Sequence, residues 1–269
     1  MTGLKEWWGW VFLTCVVLLM LSACVPAVSE TKPSVSVPPS PTANDLITLH
    51  YNERPPYLVT TDNGVRGLTG DPATLIFQES DIPFRWQQTP SKRQIYILQQ
   101  NKGRDCLVGW FKTKEREEFA KYTLPIYQDK PQIALARADN NKIPDVTTVE
   151  EIFSDSQLNL LVKDGYSYGD FLDGKIAEYH PVRTETTVEN REMLKMVFAR
   201  HADYFLIAPE EANGLIESSG FDLNDFKFIH FIDILSGEKR YILCSMQVED
   251  SIIDQLNAAI QHYVGSFSQ

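Results

Sequence analysis

The sequence has few of the residues that metal, thiol or nucleotide chemistry requires. Its 269 residues include five histidines and four cysteines, and the histidines show no metal-ligand spacing. A nucleotide-binding glycine motif and an ordered serine, histidine and aspartate set are missing as well. We therefore expect no metal site, no cofactor and no catalytic residue.

Clustered positive charge is also missing. Lysine and arginine total 25 against 36 aspartates and glutamates, which gives a formal net charge of −11. Phosphate contacts depend on clustered basic side chains, so the composition argues against a nucleic-acid partner. A small-molecule ligand and a monomeric state are the simpler expectations.

The N-terminal apolar run, residues 10–21, is shorter than the roughly 20 apolar residues of a comfortable membrane span. A lone Lys5 precedes the run and small residues end it abruptly. This build is typical of a cleaved secretion signal. A signal anchor is the alternative.

The tetrapeptide LSAC at residues 21–24 resembles the lipobox of bacterial lipoproteins. The resemblance implies a signal peptide over residues 1–23, acylation of Cys24 and a periplasmic or otherwise extracytoplasmic protein anchored to the membrane by its N-terminal lipid. Residues 24–44 are rich in proline and serine without apolar periodicity, which predicts an extended tether.

Two cysteines, Cys106 and Cys244, remain as partners for each other in an oxidising compartment. The sequence permits a disulfide between them. Two separate buried thiols fit equally well, because bridging depends on geometry that the sequence does not reveal.

From residue 46 onward, short apolar runs alternate with helical patterns. Strands are predicted at 47–51, 84–87 and 106–110 with helices between them, and this βαβαβ order repeats after a further strand at 132–136. Residues 147–151, TTVEE, predict a capping box. The alternation indicates an α/β protein whose first lobe comprises residues 45–137 and 234–269 and whose second lobe comprises residues 138–233.

The stretch GRDCLVGWFKTKER at 103–116, followed by YTLPIY at 122–127, resembles a known family. A small-residue strand, a Thr-x-x-Arg helix start and an aromatic crossover with proline occur in that order in the family 3 extracellular solute-binding proteins, the amino-acid receptors of ABC importers. The resemblance implies a periplasmic-binding-protein type II fold with a mainly parallel sheet in each lobe. It also implies a ligand in the cleft between the lobes and an ABC permease as partner.

In that family the arginine of Thr-x-x-Arg binds the ligand carboxylate, a role that the resemblance carries over to Arg116. A planar guanidinium suits a carboxylate because it donates two parallel hydrogen bonds. The alternative for Arg116 is a surface ion pair with the neighbouring glutamates at 115, 117 and 118. The other candidate ligand-binding residues are Tyr51, Arg54, Tyr57, Trp110, Thr113, Tyr166, Ser167, Glu210 and Glu211.

Two positions depart from the family pattern, and both count against a standard α-amino acid. Phe111 stands where a small hydroxyl residue is usual, and Ala208 stands where an acidic residue usually receives the ligand ammonium. Three functions therefore remain open. They are a binding lipoprotein for an amino acid or related carboxylate, a cyclohexadienyl-dehydratase-like enzyme with Glu210 as general acid, and a sensory lipoprotein.

Overall fold

The computed structural model describes residues 46–265. The predicted signal peptide at 1–23, the lipidation site Cys24 and the tether at 24–44 lie outside the described residues. The strands, in chain order, are β1 Ile47–Tyr51, β2 Val59–Thr61, β3 Gly64–Arg66, β4 Phe84–Gln88, β5 Asp105–Phe111, β6 Ala120–Gln128, β7 Ile133–Arg137, β8 Val146–Thr147, β9 Leu160–Lys163, β10 Arg183–Thr186, β11 Tyr204–Ile207, β12 Phe226–Phe231 and β13 Lys239–Ser245. The α-helices are α1 Gly70–Glu79, α2 Ser91–Gln100, α3 Lys114–Glu117, α4 Val149–Phe153, α5 Asp170–Tyr179, α6 Asn190–Phe198, α7 Pro209–Ser218 and α8 Asp250–Tyr263.

Apart from the β2–β3 hairpin, the strands of the described residues form two sheets. The first has the order β4-β1-β5-β13-β6 and the second the order β10-β9-β11-β7-β12-β8. We call the first sheet with α1, α2, α3, α8 and the β2–β3 hairpin the first lobe, and the second sheet with α4 to α7 the second lobe. Both lobes are α/β, as expected.

The core of the first lobe forms around β1, whose residues Ile47, Leu49 and Tyr51 pack into one apolar cluster. All five of its residues are buried, and Leu49 belongs to one apolar cluster with Ile76 of α1 and Leu256 of α8. The alternate residues of the strand, Thr48 and His50, are polar and buried, and His50 forms hydrogen bonds with Thr89 and Asp105. The strand predicted at 47–51 is confirmed, as a central strand with one apolar face.

Both sheets are mainly parallel, as expected, and each is mixed because one of its strands runs the opposite way. Strand β1 runs parallel to β4 and β5, but β13 runs antiparallel to β5 and β6. In the second sheet β7 runs antiparallel to β11 and β12. The antiparallel strands β13 and β7 are those that enter a sheet directly from the other lobe, so they run against the βα units.

Strand pairing also corrects two boundaries. Residues 133–137 were expected in the first lobe, but β7 pairs within the second sheet. The predicted strand at 180–183 is observed as β10, Arg183–Thr186, next to β9. Strand β6 and the β2–β3 hairpin had no counterpart among the predicted elements. The predicted capping box is confirmed at Thr148 and Glu151.

Two chain segments connect the lobes, residues 129–132 and 232–238. They contact each other, since the Asp129 amide donates to the Glu238 carbonyl at 2.9 Å. A Cβ added at Gly237 would lie 1.9 Å from the Asp129 carbonyl oxygen, so this close approach requires glycine.

A disulfide joins Cys106 of β5 to Cys244 of β13, with the Cα atoms 4.0 Å apart. The two cysteines lie opposite each other in an antiparallel pair of strands. Of the two possibilities left open by the sequence, the structure has the bridge. Within residues 46–265, no helix has the length and hydropathy of a membrane span, and no cluster of three potential metal ligands occurs.

Candidate functional site

A cleft lies between the two lobes. The first lobe contributes the loop after β1, the end of β5 and the start of β13, and the second lobe contributes the turn after β9, the start of α6 and the end of β11. The lining residues are Asn52, Arg54, Tyr57, Leu58, Thr69, Val108, Gly109, Trp110, Phe111, Arg116, Gln132, Lys163, Tyr166, Ser167, Tyr168, Asn190, Met193, Leu206, Ile207 and Arg240.

Arg116 is buried in this cleft, with 7% of its surface exposed. Its guanidinium stacks on the Trp110 ring at 4.8 Å and donates to the Phe111 carbonyl at 2.9 Å and, across the cleft, to the Gly165 carbonyl at 3.3 Å. Burial lowers the pKa of Arg116 from its ordinary value. Arg116 is therefore buried and not at the surface, and the neighbouring Glu117 pairs with Lys112.

A chain of amide groups supports the wall behind Arg116. The Trp110 indole donates to Gln94 Oε1 at 3.0 Å. The Gln94 amide nitrogen donates to the Thr89 carbonyl at 2.8 Å and weakly to Asn52 Oδ1 at 3.4 Å. These bonds fix the Trp110 ring that stacks on the arginine, and neither Gln94 nor Asn52 was among the predicted site residues.

The loop after β1 holds Arg54 against the second lobe. The loop closes through hydrogen bonds between Arg54 and Leu58 and contains a cis Pro55–Pro56 peptide. The Arg54 guanidinium donates to both carboxylate oxygens of Glu211, with Nη2 to Oε2 at 2.7 Å. Burial alone would lower the pKa of Arg54, but the charge of Glu211 and its hydrogen bonds hold that pKa above the ordinary value.

A second buried ion pair, Arg240 with Asp129, lies on the first-lobe side. Nε and Nη2 of Arg240 donate to the two carboxylate oxygens at 2.7 and 2.6 Å, and Nη1 donates to the Gly109 carbonyl at 2.9 Å. The Tyr57 hydroxyl also donates to Asp129, and its ring lies 4.0 Å from the Arg240 guanidinium. Sequence reasoning missed Arg240, because a single arginine beginning an apolar strand gives no sign of burial.

The second-lobe wall is the turn that follows β9. The Tyr166 ring lies 6.0 Å from the Trp110 ring of the first lobe and 4.5 Å from the Lys163 ammonium. The Ser167 hydroxyl donates to Asp173 and accepts from the Gly169 amide. Ser167 thus lines the cleft and also organises the start of α5.

Four predicted site residues do not line this cleft in the described part of the chain, namely Tyr51, Thr113, Glu210 and Glu211. Tyr51 is buried beneath the loop, where it packs edge-on against Trp86. Thr113 caps α3 by accepting from the Arg116 amide and lines an adjoining recess that shares Arg116, Tyr166 and Ser167 with the cleft. Glu210 accepts from the Lys130 amide at 2.7 Å at the lobe connection.

Glu211 does not line the cleft wall either, but it reaches the site through Arg54. It is buried, and Asn190 donates to its Oε1 at 2.7 Å. The predicted residues that the structure brings together in the cleft are therefore Arg54, Tyr57, Trp110, Arg116, Tyr166 and Ser167.

Solved structures of solute-binding proteins share this fold. An ancestral arginine-binding protein bound to arginine is 14% identical with a TM-score of 0.63, over 81% of this chain and 92% of that one. The holo arginine-binding protein of T. maritima is 17% identical with a TM-score of 0.63, over 81% and 89%. A structure from work on glutathione import in Streptococcus mutans is 16% identical with a TM-score of 0.64, over 81% and 89%.

No curated protein matches the chain in a sequence comparison. A family model does match, over residues 46–266, and it describes the bacterial extracellular solute-binding proteins, family 3. The match spans both lobes and the cleft. The chain therefore belongs to the family 3 bacterial extracellular solute-binding proteins.

Proposed function

We propose that the protein captures a small carboxylate-bearing ligand, an amino acid or a relative of one, between its lobes and delivers it to an ABC importer. The observation that carries the proposal is Arg116, a buried arginine whose neighbours are an aromatic ring and two carbonyl oxygens. A buried cation without a carboxylate partner is costly unless a ligand supplies one. A ligand carboxylate is the natural counter-ion.

Hinge closure gives this site its mechanism. Arg116 is held by Trp110 and Phe111 inside the first lobe and touches the second lobe only at the Gly165 carbonyl. A ligand docked on the first lobe would then be covered by the Tyr166 turn as the lobes close about their two connections. We propose that the permease recognises the closed, ligand-bound form of the protein.

Export and lipid anchoring belong to the same proposal and rest on the sequence of residues 1–24. We propose cleavage before Cys24, acylation of its thiol and a location outside the cytoplasmic membrane. Replacing Cys24 by serine is expected to release the protein from membranes, because the acyl chains make anchoring stable. Detergent-phase partitioning that survives this change would contradict the lipoprotein proposal.

The binding proposal is tested by Arg116→Ala. We expect a loss of about 2 to 5 kcal/mol in binding free energy, the usual effect of truncating one member of a buried charge pair. That loss corresponds to a roughly 30-fold to several-thousand-fold weaker affinity. The measurement is titration calorimetry with amino acids and small carboxylates, preceded by a thermal-shift screen.

Arg66→Ala is the matched control, because the Arg66 side chain is 70% exposed on the hairpin and pairs only with Asp71. It removes the same charge from the same lobe and is expected to leave affinity unchanged. Arg116→Lys should rescue only part of the loss, since a point charge cannot donate two parallel bonds. Unchanged affinity in Arg116→Ala would refute the proposal.

A further inference from the structure

The charges that face the cleft are all positive. Four cations line it, Arg54, Arg116, Lys163 and Arg240, and none of the described lining residues is an aspartate or glutamate. A ligand that enters this cleft therefore meets hydrogen-bond donors on both walls.

Three of the four cations form an ion pair with a carboxylate of the protein. Arg54 pairs with Glu211, Lys163 with Glu189, and Arg240 with Asp129. Among the described residues, no carboxylate lies within ion-pairing distance of Arg116. The charges of Asp173 and Glu115 act on Arg116 from beyond that distance. Arg116 is therefore the one cation among the described lining residues without a bonded carboxylate, and a ligand with a single negative charge would supply one.

Glu211 is the acid through which the second lobe could receive a ligand ammonium, but it is fully engaged. Both of its oxygens accept from Arg54, and Oε1 also accepts from Asn190. Its side chain is only 3% exposed. A ligand ammonium would have to displace the Arg54 guanidinium and leave that cation partly buried without a partner, which is strongly unfavourable.

A second free group points to the same ligand chemistry. The side-chain nitrogen of Asn52 is buried in the cleft lining and has no hydrogen-bond partner among the described residues. A buried donor without an acceptor costs free energy, so it favours a ligand that offers one. Both unfilled positions, at Arg116 and Asn52, are donors.

We infer that the ligand is a small monoanion, a carboxylate that carries further hydrogen-bond acceptors but no ammonium group. This inference rests on the proposed function and narrows its ligand from amino acids and their relatives to the relatives without the α-ammonium. Arg54 occupies, as part of the protein, the position at Glu211 that a ligand cation would otherwise take.

The test uses matched pairs that differ only by the α-ammonium group. The probes are phenylalanine with 3-phenylpropionate, leucine with 4-methylpentanoate, and glutamine with its deaminated acid, titrated into the purified full-length chain in detergent. In at least one pair we expect the deaminated acid to bind at least tenfold more tightly than the amino acid. An amino acid that binds as tightly as its partner in every binding pair would overturn the inference.

Arg54→Gln sharpens the test because it frees Glu211. In this variant we expect the affinity for the amino acid to rise at least tenfold relative to the affinity for its deaminated partner, because Glu211 can now accept the ammonium. The double variant Arg54→Gln, Glu211→Gln should lose this gain. If Arg54 has only a structural role, Arg54→Gln should weaken the binding of both ligands of a pair equally. That result would also count against the inference.

The two proposals fail in distinguishable ways. If no carboxylate of either series binds, or if binding survives Arg116→Ala, the proposed function fails and this inference with it. If carboxylates bind through Arg116 but amino acids are preferred by the wild-type protein, the inference alone is overturned. The wild-type comparison decides the matter even if Arg54→Gln does not fold.

Discussion

The two lobes contribute different kinds of groups to the cleft. The first lobe provides three arginines, 54, 116 and 240, together with aromatic rings that stack on them. The second lobe provides the turn with Tyr166 and one cation, Lys163, while its buried Glu211 reaches the cleft only through Arg54. Under the proposed function, the first lobe would hold most of the groups that bind the ligand, and the second lobe would mainly cover it.

The lobes also differ in the interactions that stabilise each of them. The first lobe has the Cys106–Cys244 disulfide and the buried Arg240–Asp129 ion pair in addition to its apolar core. The second lobe depends on two apolar clusters, one on each face of its sheet. Removing the disulfide or the ion pair should therefore leave the first lobe, like the second, dependent on its apolar core for stability.

The largest effect is expected for Arg240→Met, which leaves the Asp129 carboxylate buried without its cation. Removing one partner of a buried pair costs about 3 to 5 kcal/mol, and we expect that loss in the free energy of unfolding measured in urea. The matched control is the double variant Arg240→Met, Asp129→Asn, which removes both charges and should recover part of the loss. A loss below about 1 kcal/mol would show that the pair is poorly coupled.

Replacing both bridged cysteines by alanine ranks second. Removing a native disulfide typically costs about 2 to 5 kcal/mol. Hydrogen exchange should report the loss in β5 and β13 and leave the second sheet protected. Dithiothreitol should destabilise the wild-type protein but not the variant, and equal loss of protection in both lobes would contradict the contrast between them.

A smaller effect is expected at the mouth of the cleft, where Lys92 of the first lobe meets Asp164 of the second. The two side chains are 68% and 44% exposed. Exposed pairs contribute about 0 to 1 kcal/mol and are screened by salt. Lys92→Ala should therefore change the free energy of unfolding by no more than that, and by less at high salt. A salt-independent loss of about 2 kcal/mol would contradict this.

The smallest effect concerns Glu151 in the second lobe. Hydrogen bonds from the Thr147 hydroxyl and the Thr148 amide lower the pKa of Glu151. A carboxyl with a lowered pKa stabilises the folded state above its ordinary pKa, and this contribution is lost as the pH falls through the lowered value. Glu151→Gln should lie below the wild type in stability at neutral pH, and the difference should vanish in acid. A pH-independent difference would contradict it.

The sequence predicted individual strands and helix starts well, because these depend on residues that are close together in the chain. Apolar runs marked β1, β5 and β11, and the Thr148 capping box marked the start of α4. Strand β6 was missed because its burial repeats every third residue and not every second. The mainly parallel strand direction was predicted, but the two antiparallel strands β7 and β13 were not, because each of them enters its sheet directly from the other lobe.

The site was predictable only where one motif carried it. The resemblance to the Thr-x-x-Arg motif of the family pointed to Arg116, and the structure has Thr113 as the cap of that helix and Arg116 in the cleft lining. Arg240 and Asn52 could not be found, because their roles depend on partners far away in the sequence, Asp129 and Gln94. Tyr51 was predicted for the site but lies in the first-lobe core beside Trp86, since a tyrosine that ends a buried strand can turn toward the core as readily as toward a cleft.

The disulfide has a topological consequence as well as an energetic one. The whole second sheet lies in the chain between Cys106 and Cys244, so the second lobe is part of a covalent ring closed inside the first. A protease nick at any one point of that ring opens it without releasing a fragment. A nicked molecule should migrate as one species on a non-reducing gel and as two after reduction, and its lobes should stay joined.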